Sequence, residues 1–585
     1  MGERTEFRLW AAIGLAILGG VSVVIFLATK GENRERPSVE TLEDAGTRQL
    51  GQLLATSWQE TPLNRGGDLH PRLIGPNQGL FLEARSGGLL RGRVEIEPGG
   101  TVAEAAVLAI NKLKESVGAR SVDTLLACPV HSYRNIKYSK LNRSRIHQGV
   151  RGIELSYGKD VARYSPFEVI ARNVSFEKLH REFATRVAAP ENALSIGLFD
   201  CDQIWVSLDR PGEAKQLFRG NELVPIANVK RNELEKRAHL MGRWLAASVN
   251  SNGRMNYKWW PSRGQESSSN NMIRQWMASL ALVRYAEFSK DKGVLALAKK
   301  NIEYNIAAFY REEDGLGLIE YNGKIKLGAM ALASLAMLEF PGPDFEKVQK
   351  KLLETTLSMQ RNDGSFQTML KPVSEGDPFQ NFYTGETLLL WAYVYERHEK
   401  PELLDRFMRS FRYYRNWHRE RRNPAFVPWH TQANFLMWQK TKQEELADFI
   451  FETNDWLVGV QEWEKSPYPD AKGRFYDDTR RHFGKPHASS TGVYLEGLAD
   501  ALAVARLAND EKRVTSYKTS IRRGLRSVFQ LQFTEGPGLF YISKPEKVIG
   551  GVRTRLYDNT IRVDNVQHNL LAALKMLALD PAISF

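Results

Sequence analysis

Residues 327–338 read LGAMALASLAML, and residues 492–505 read GVYLEGLADALAVA. Both runs carry apolar or small side chains on nearly every helical face, the pattern of a helix enclosed by other helices. Working outward from them, the chain beyond Asn228 divides into twelve candidate helices, near 229–248, 270–289, 294–309, 327–338, 344–359, 383–396, 401–417, 431–440, 444–461, 488–507, 511–530 and 563–578. Every second one belongs to the apolar set, with starts near Met272, Leu327, Tyr383, Gln432, Ser489 and Asp564, about 50 to 75 residues apart. A recurrence of that length marks repeated supersecondary units. The expected fold is therefore mainly α: an (α/α)6 toroid over residues 228–585, with the apolar helices inside and their more charged partners outside.

The loops leading into the inner helices repeat as well: NGRMNYKWW at Asn252, DGLGLIEY at Asp314, NDGSF at Asn362, GRFYDD at Gly473 and GLFYIS at Gly538. A glycine turn followed by β-forming residues predicts a short hairpin at each lead-in. Because the inner helices all start at one end, these loops are expected to converge on a single mouth.

Upstream the chain reads differently. Leu9 to Thr29 is an uncharged apolar stretch bracketed by Arg8 and Lys30, long enough to cross a bilayer. The expectation is an N-terminal transmembrane anchor over residues 1–30, with the bulk of a single-pass chain outside the cytoplasm, periplasmic or extracellular. A cleaved signal peptide is the alternative, but the run exceeds a usual signal core and no small-x-small site follows. Residues 31–76 suit a polar tether with one short helix at Ser38–Thr56. Residues 77–227 alternate short apolar runs (GLFLEA, TLLACPV, GIELSY, QIWVSL) with helical patterns, which predicts a small α/β domain.

Only two cysteines occur, Cys128 and Cys201, both ahead of the toroid, so the toroid has neither a disulfide framework nor a thiolate metal cluster. The formal charge of +13 favours anionic partners. Nucleic acid is disfavoured among these, because the basic residues are scattered and no recognised motif accompanies them. The partners expected are a polysaccharide, acidic ones included, and a membrane through the N-terminal helix. No cofactor and no metal is required.

Two resemblances bear on function. The order LLRGRVEIEP, helix, TLLACPV, HQGVRGIELSYG and SPFEVI resembles the small α/β domain family named after the AMME syndrome chromosomal region, which implies a fold and no site. In the toroid, IRVDNVQHNLLAAL at Ile561, preceded by GGVRTRLYDNT, is similar to a helix start near the end of glucuronyl epimerase-like proteins, and FYTGETLLLWAYVYE at Phe382 resembles their hairpin helices. The likeness extends to the wider six-hairpin glycosidases, uronate epimerases and polysaccharide lyases. It implies a carbohydrate-active protein. Zinc prenyltransferases and lanthionine-forming cyclases share the architecture but need cysteine ligands in the toroid, and the acidic DxDD run of squalene-type cyclases is missing.

Sugar rings need flat apolar faces, and sugar hydroxyls need planar polar groups. Trp259, Trp260, Trp429, His430 and Trp463, with Asp363, Tyr383 and Arg562, are the substrate-binding candidates. Glycoside hydrolysis needs two carboxyl groups across the bond, and Glu386, Asp477, Asp478 and Asp564 are the candidates, with Asp558 nearby. Lyase or epimerase chemistry needs a base for the proton α to a carboxylate and a cation to hold that carboxylate. Tyr557, His487, His568 and Tyr494 supply bases, and Arg562 the cation. A third expectation is a non-catalytic glycan-binding scaffold in a polysaccharide synthesis or export assembly. Clustering of acids, or of tyrosine, histidine and arginine, in one pocket distinguishes an enzyme from such a scaffold.

Overall fold

The computed structural model describes residues 44–61, 68–210, 212–373 and 379–579. Residues 41–585 belong to one compact unit.

The chain first builds an antiparallel sheet from β1 (Leu80–Ser86), β2 (Leu89–Ile96), β3 (Thr124–Ile136), β4 (Arg151–Tyr157), β5 (Asp160–Tyr164), β6 (Ser195–Cys201), β7 (Gln203–Ser207) and β8 (Ala214–Leu217). Its order is β2-β1-β3-β6-β4-β5, and the long β3 also pairs with β7, which pairs with β8. Helices α1 (Asp44–Gln59), α2 (Pro71–Ile74), α3 (Val102–Val117), α4 (Pro166–Arg172) and α5 (Phe176–Arg186) accompany these strands. A capping box between Thr101 and Glu104 starts α3. The residues expected as a polar tether contribute α1, whose Leu50 and Leu54 are fully buried with Ala106 and Ile204 in one core. Cys128 and Cys201 are joined as a disulfide, linking β3 to β6.

Among the described residues twelve α-helices follow: α6 (Arg231–Ala247), α7 (Met272–Ser289), α8 (Lys292–Phe309), α9 (Leu327–Glu339), α10 (Glu346–Ser358), α11 (Tyr383–His398), α12 (Pro401–Glu420), α13 (Val427–Thr441), α14 (Glu444–Val458), α15 (Ala488–Leu507), α16 (Glu511–Leu531) and α17 (Val563–Leu579). The odd-numbered members from α7 pack in sequence, α7 on α9, α9 on α11, and so on to α15 on α17, and α17 packs back on α7. That return contact closes the ring. The even-numbered helices from α6 lie outside it against their partners, so the closed double ring, not an open superhelix, is the architecture.

The end of the lumen at the inner-helix C-termini is closed by polar side chains. Arg284 on α7 makes a two-point ion pair with Glu339 on α9, at 2.7 and 2.5 Å, and reaches Tyr393 on α11 at 3.0 Å. Lys575 on α17 meets Asp500 on α15 at 2.6 Å and Gln432 on α13 at 2.9 Å. Helices that are not ring neighbours touch here, so polar side chains fill the lumen beneath the first turns of the inner helices, which form the mouth.

The predicted glycine turns have a shared job. Gly473 sits at φ 98°, and a Cβ built there would overlap the carbonyl oxygen of Arg523 on outer helix α16. Gly364 stands in the same relation to Arg409 on α12. The sixth hairpin differs from expectation: its matching turn is Gly550, against Leu240 of α6, and not Gly538, which lies in a short 3-10 turn beside Asn221.

The expected transmembrane anchor is corrected. Among the described residues no helix is long and apolar enough to cross a membrane. The apolar helices present are inner-ring helices such as α9, with 13 residues against the roughly 20 a bilayer needs, and neighbouring helices cover their apolar faces. The stretch Leu9–Thr29 lies outside the described residues. The membrane partner and the tethered, extracytoplasmic placement read from that stretch are therefore withdrawn.

Candidate functional site

The mouth is assembled from the first turns of the inner helices. Asp564, at the start of α17, is 3% exposed. It accepts from Arg562 Nε at 2.9 Å and Nη2 at 2.6 Å, and Arg274 of α7 lies 3.0 Å from its Oδ2. Burial works to raise its pKa, yet Arg274 and Arg562 outweigh that and hold the carboxyl below the usual range. Arg274 also donates to the Tyr257 hydroxyl. Two guanidiniums thus share one carboxylate, leaving a positive surplus at the mouth.

Glu386, in the first turn of α11, has the opposite character. It is 2% exposed, and its Oε2 has no hydrogen-bond partner. A Cβ at Gly328 of α9 would overlap that oxygen and crowd the Tyr383 ring, so only glycine leaves room for the carboxyl. Burial pushes its pKa up to about 8, against a smaller opposing pull from Lys326, so it is mostly a neutral proton donor near pH 7. Tyr383 beside it is 6% exposed, stacks on Phe379 at 5.0 Å, and is raised by burial and by Glu386.

His568, one turn into α17, completes the group. Its Nδ1 lies 2.8 Å from Oε1 of Glu496, a fully buried residue of α15. A carboxylate at Nδ1 fixes the proton there and leaves Nε2 as the basic nitrogen. The Trp429 ring of α13 approaches His568 edge-on, with centroids 5.8 Å apart, and its Cβ crowds Gly385 next to Glu386. Trp429, 4% exposed, thus touches the histidine ring and the backbone next to Glu386.

His487, the residue before α15, contacts Ser489 Oγ at 3.0 Å and Ser490 Oγ at 3.2 Å. Burial first, then Arg562 and Arg555, bring its pKa to about 4. Tyr557 is half-buried at the turn between strands Arg553–Arg555 and Asp558–Arg562. It lies within electrostatic reach of Arg145 and Tyr476. Tyr494 is buried and meets the Phe475 ring edge-on at 5.4 Å.

The other expected residues have the following surroundings. Asp363 makes a turn, accepting from Ser365 N at 2.9 Å and Oγ at 2.7 Å, beside the glycine docked on outer helix α12. Trp463 lies under the Arg523 guanidinium of outer helix α16, 4.7 Å from its ring centroid. His430 is 2% exposed and stacks on Phe426 with centroids 3.6 Å apart. Trp259 is 8% exposed in strand Lys258–Trp260, paired with Ile561. Trp260 is partly exposed, with the Arg263 guanidinium 5.0 Å from its ring. Asp477 and Asp478 are partly exposed, and Asp477 accepts from Thr479 N at 2.9 Å.

Sequence reasoning passed over Arg274, Tyr257, Lys326 and Glu496. Arg274 was detectable as a lone charge in the first turn of an apolar helix. Glu496 and Asp500 were detectable as acids four apart, one face of an otherwise apolar helix. Among the described residues no group of three or more histidine, cysteine or acidic side chains could hold a metal. A groove of about 550 Å³ lies elsewhere, lined by Val224, Arg237, Gln530 and Gly536 among others. It holds none of the residues above.

No family model and no curated protein matches the chain. Among solved structures it is similar to a sugar epimerase from a ruminal bacterium, at 11% identity, covering 61% of this chain and all of that one, with a TM-score of 0.45. It is similar to the GH76A alpha-1,6-mannanase of Salegentibacter sp. HEL1_6, at 11% identity, covering 59% of this chain and all of that one, with a TM-score of 0.42. It also matches an uncharacterized protein from Pyrococcus horikoshii at 14% identity, covering 30% of this chain and 98% of that one, with a TM-score of 0.26. These likenesses carry no residue correspondence. The toroid is defined here by its own closed ring.

Proposed function

We propose that this chain is a glycan-active enzyme that performs acid-base chemistry on a uronate residue at the toroid mouth. The observation that carries the reading is the occurrence, among the inner helices, of a neutral, buried Glu386 in the first turn of α11 and a Glu496-oriented His568 one turn into α17, with Trp429 edge-on to the histidine. In this reading the surplus positive charge of Arg274 and Arg562 holds the uronate carboxylate. His568 Nε2 takes the proton α to that carboxylate, and the electron pair moves onto the carboxylate oxygens, where the guanidiniums stabilise it. The pair then collapses in one of two ways. It expels the β-linked sugar oxygen, protonated by Glu386, in a lyase, or it takes a proton back on the opposite face, from Glu386, in an epimerase.

Hydrolysis is the second reading. Its support is the partly exposed Asp477-Asp478 pair on the loop before α15, which would activate water while Glu386 protonates the leaving oxygen. A binder without turnover would use Trp429 and the cations alone.

Incubating the protein with acidic and neutral polysaccharides separates these readings. Unsaturated ends mark a lyase, solvent deuterium at the α carbon marks an epimerase, and new reducing ends without unsaturation mark a hydrolase. Loss of turnover by about 100-fold or more in His568→Gln and in Glu386→Gln is the expected result. Turnover untouched by His568→Gln overturns the assignment of the base.

A further inference from the structure

The rim of the mouth carries two open rings just ahead of α11. Among the described residues of the toroid, Phe379 and Phe382 are the most exposed phenylalanine, tyrosine or tryptophan side chains, at 43% and 42%. Phe379 also sits at φ 72°, a left-handed backbone that a bulky side chain adopts only where its surroundings impose it. Here they do. Gln380 Nε2 donates to Phe366 O at 3.1 Å, and Gln380 Oε1 accepts from the Tyr414 hydroxyl of α12 at 2.7 Å. Thr384 Oγ1 donates to the Gln380 carbonyl at 2.7 Å, and the Phe382 and Tyr383 amides donate to the Phe379 carbonyl at 2.9 and 3.2 Å. The turn is tightly held, yet the ring it presents is left out of the core.

Behind that ring a column leads to the neutral acid of the mouth. Tyr383 stacks on Phe379 with centroids 5.0 Å apart and planes 27° apart. The Tyr383 ring and Glu386 Oε2 both border the space above Gly328 of α9, so ring, ring and carboxyl follow one another inward. Lys326, the residue before α9, brings its Nζ to 5.8 Å from the Phe379 centroid. Its backbone is fixed by strand pairing with Met369 and by the Leu327 amide, which donates to Thr368 O at 3.0 Å. The ammonium stands at the outer limit of a cation–ring contact and leaves the ring open. Asn381, between the two phenylalanines, keeps its Oδ1 without a hydrogen-bond partner.

We propose that Phe379 and Lys326 form a subsite for a uronate residue adjoining the one acted on, with the pyranose ring lying on Phe379 and its carboxylate on Lys326. It rests on the glycan reading above and extends it from one sugar to a chain. A flat apolar face with a cation at its edge and an amide beside it matches the mixed surface of an acidic sugar. Two rings flanked by polar side chains are smaller than the patch a protein partner covers. Their continuity with Glu386 places the neighbouring sugar in line with the reacting one.

The test titrates the full chain with a uronate oligosaccharide, with its carboxyl-reduced counterpart and with a single uronate. Phe379→Gly removes the ring at a backbone angle glycine adopts freely. Phe379→Leu keeps an apolar side chain without a flat face, and remains informative if the glycine variant unfolds. The expected result is that both variants bind both oligosaccharides about tenfold more weakly and the single uronate as before. Lys326→Gln should lower the preference for the acidic over the reduced oligosaccharide about fivefold. Oligosaccharide binding unchanged in both Phe379 variants, or weakened equally with that of the single uronate, overturns the subsite and leaves the glycan reading standing. If oligomeric state changes while glycan binding does not, the rings are a contact between copies of this chain and the subsite is likewise overturned. An acidic preference unchanged in Lys326→Gln overturns the placing of the carboxylate. Failure of the unaltered protein to bind any of the three sugars overturns both the subsite and the glycan reading.

Discussion

Arg274 on the first inner helix and Asp564 at the start of the last lie 3.0 Å apart. The two residues are separated by nearly the whole toroid in sequence, and their ion pair ties the ring's two ends together at the mouth. Because Arg562 grips the same carboxylate, one buried charge serves both closure of the ring and placement of the cations.

Asp564→Asn should therefore destabilise the protein by about 2 kcal/mol, the cost of leaving two partly buried guanidiniums without their anion. The folded carboxyl titrates below its unfolded value. Its contribution is complete above about pH 4, the unfolded carboxylate value, and is lost as pH falls through the lower folded value. Denaturant unfolding between pH 7 and pH 2 should show the gap between variant and unaltered protein closing only in the acid range.

Glu386 gives the reverse dependence. Its folded pKa is raised to about 8, so the folded state holds a proton that the unfolded chain releases near pH 4.5. Stability should fall as pH rises between these values and level off above pH 8. Glu386→Gln keeps the shape and stays neutral, so it should flatten that slope while abolishing turnover. A slope that survives in Glu386→Gln would assign it to another group.

The fold was legible because enclosure leaves a direct trace in composition. The run at Leu327 shows no polar face and the run at Gly492 only Glu496 and Asp500, and only a surrounded helix tolerates that. The start of α13 was placed late, near Gln432 and not at Val427, because Pro428 and Trp429 read as loop residues, although proline is at home in a first helical turn. The site was less legible. Trp429 reaches the mouth and Trp463 lies against outer helix α16, yet nothing in either residue's neighbours distinguishes them. Only the ring's curvature sorts such side chains into lumen and outer surface.

The glycine turns permit a paired measurement. Gly473→Ala must push apart the turn and α16, because the new Cβ would meet the Arg523 backbone carbonyl. Gly484, at φ 94°, has nothing within 4 Å of a new Cβ. Gly484→Ala should cost about 1 to 2 kcal/mol, from backbone conformation alone. Gly473→Ala should cost about 2 kcal/mol more, for the collision. Equal losses in thermal unfolding would show that the turn does not need its close approach to the outer helix.

Asn173 tests whether the α/β layer acts on the mouth or merely adjoins it. Its backbone sits at φ 48°, a conformation that glycine adopts freely, so Asn173→Gly removes the side chain without adding backbone strain. Asn173 Oδ1 accepts from Asn559 N at 3.1 Å, and its Nδ2 donates to Asp558 Oδ1 at 3.2 Å. The Asn559 N–H would lose its acceptor and the Asp558 carboxylate a donor, a loss of about 1 to 3 kcal/mol. That loss should be local. Hydrogen exchange should quicken over residues 553–562, which carry Arg555, Tyr557 and Arg562, while the floor helices around Arg284 and Lys575 keep their protection. Any glycan turnover should fall with it, since the cations would no longer be held in place. Unchanged exchange over 553–562 would mean that Phe167 and Phe540, edge-on at 5.3 Å, suffice to seat the strand pair, and that Asn173 only ends its own helix.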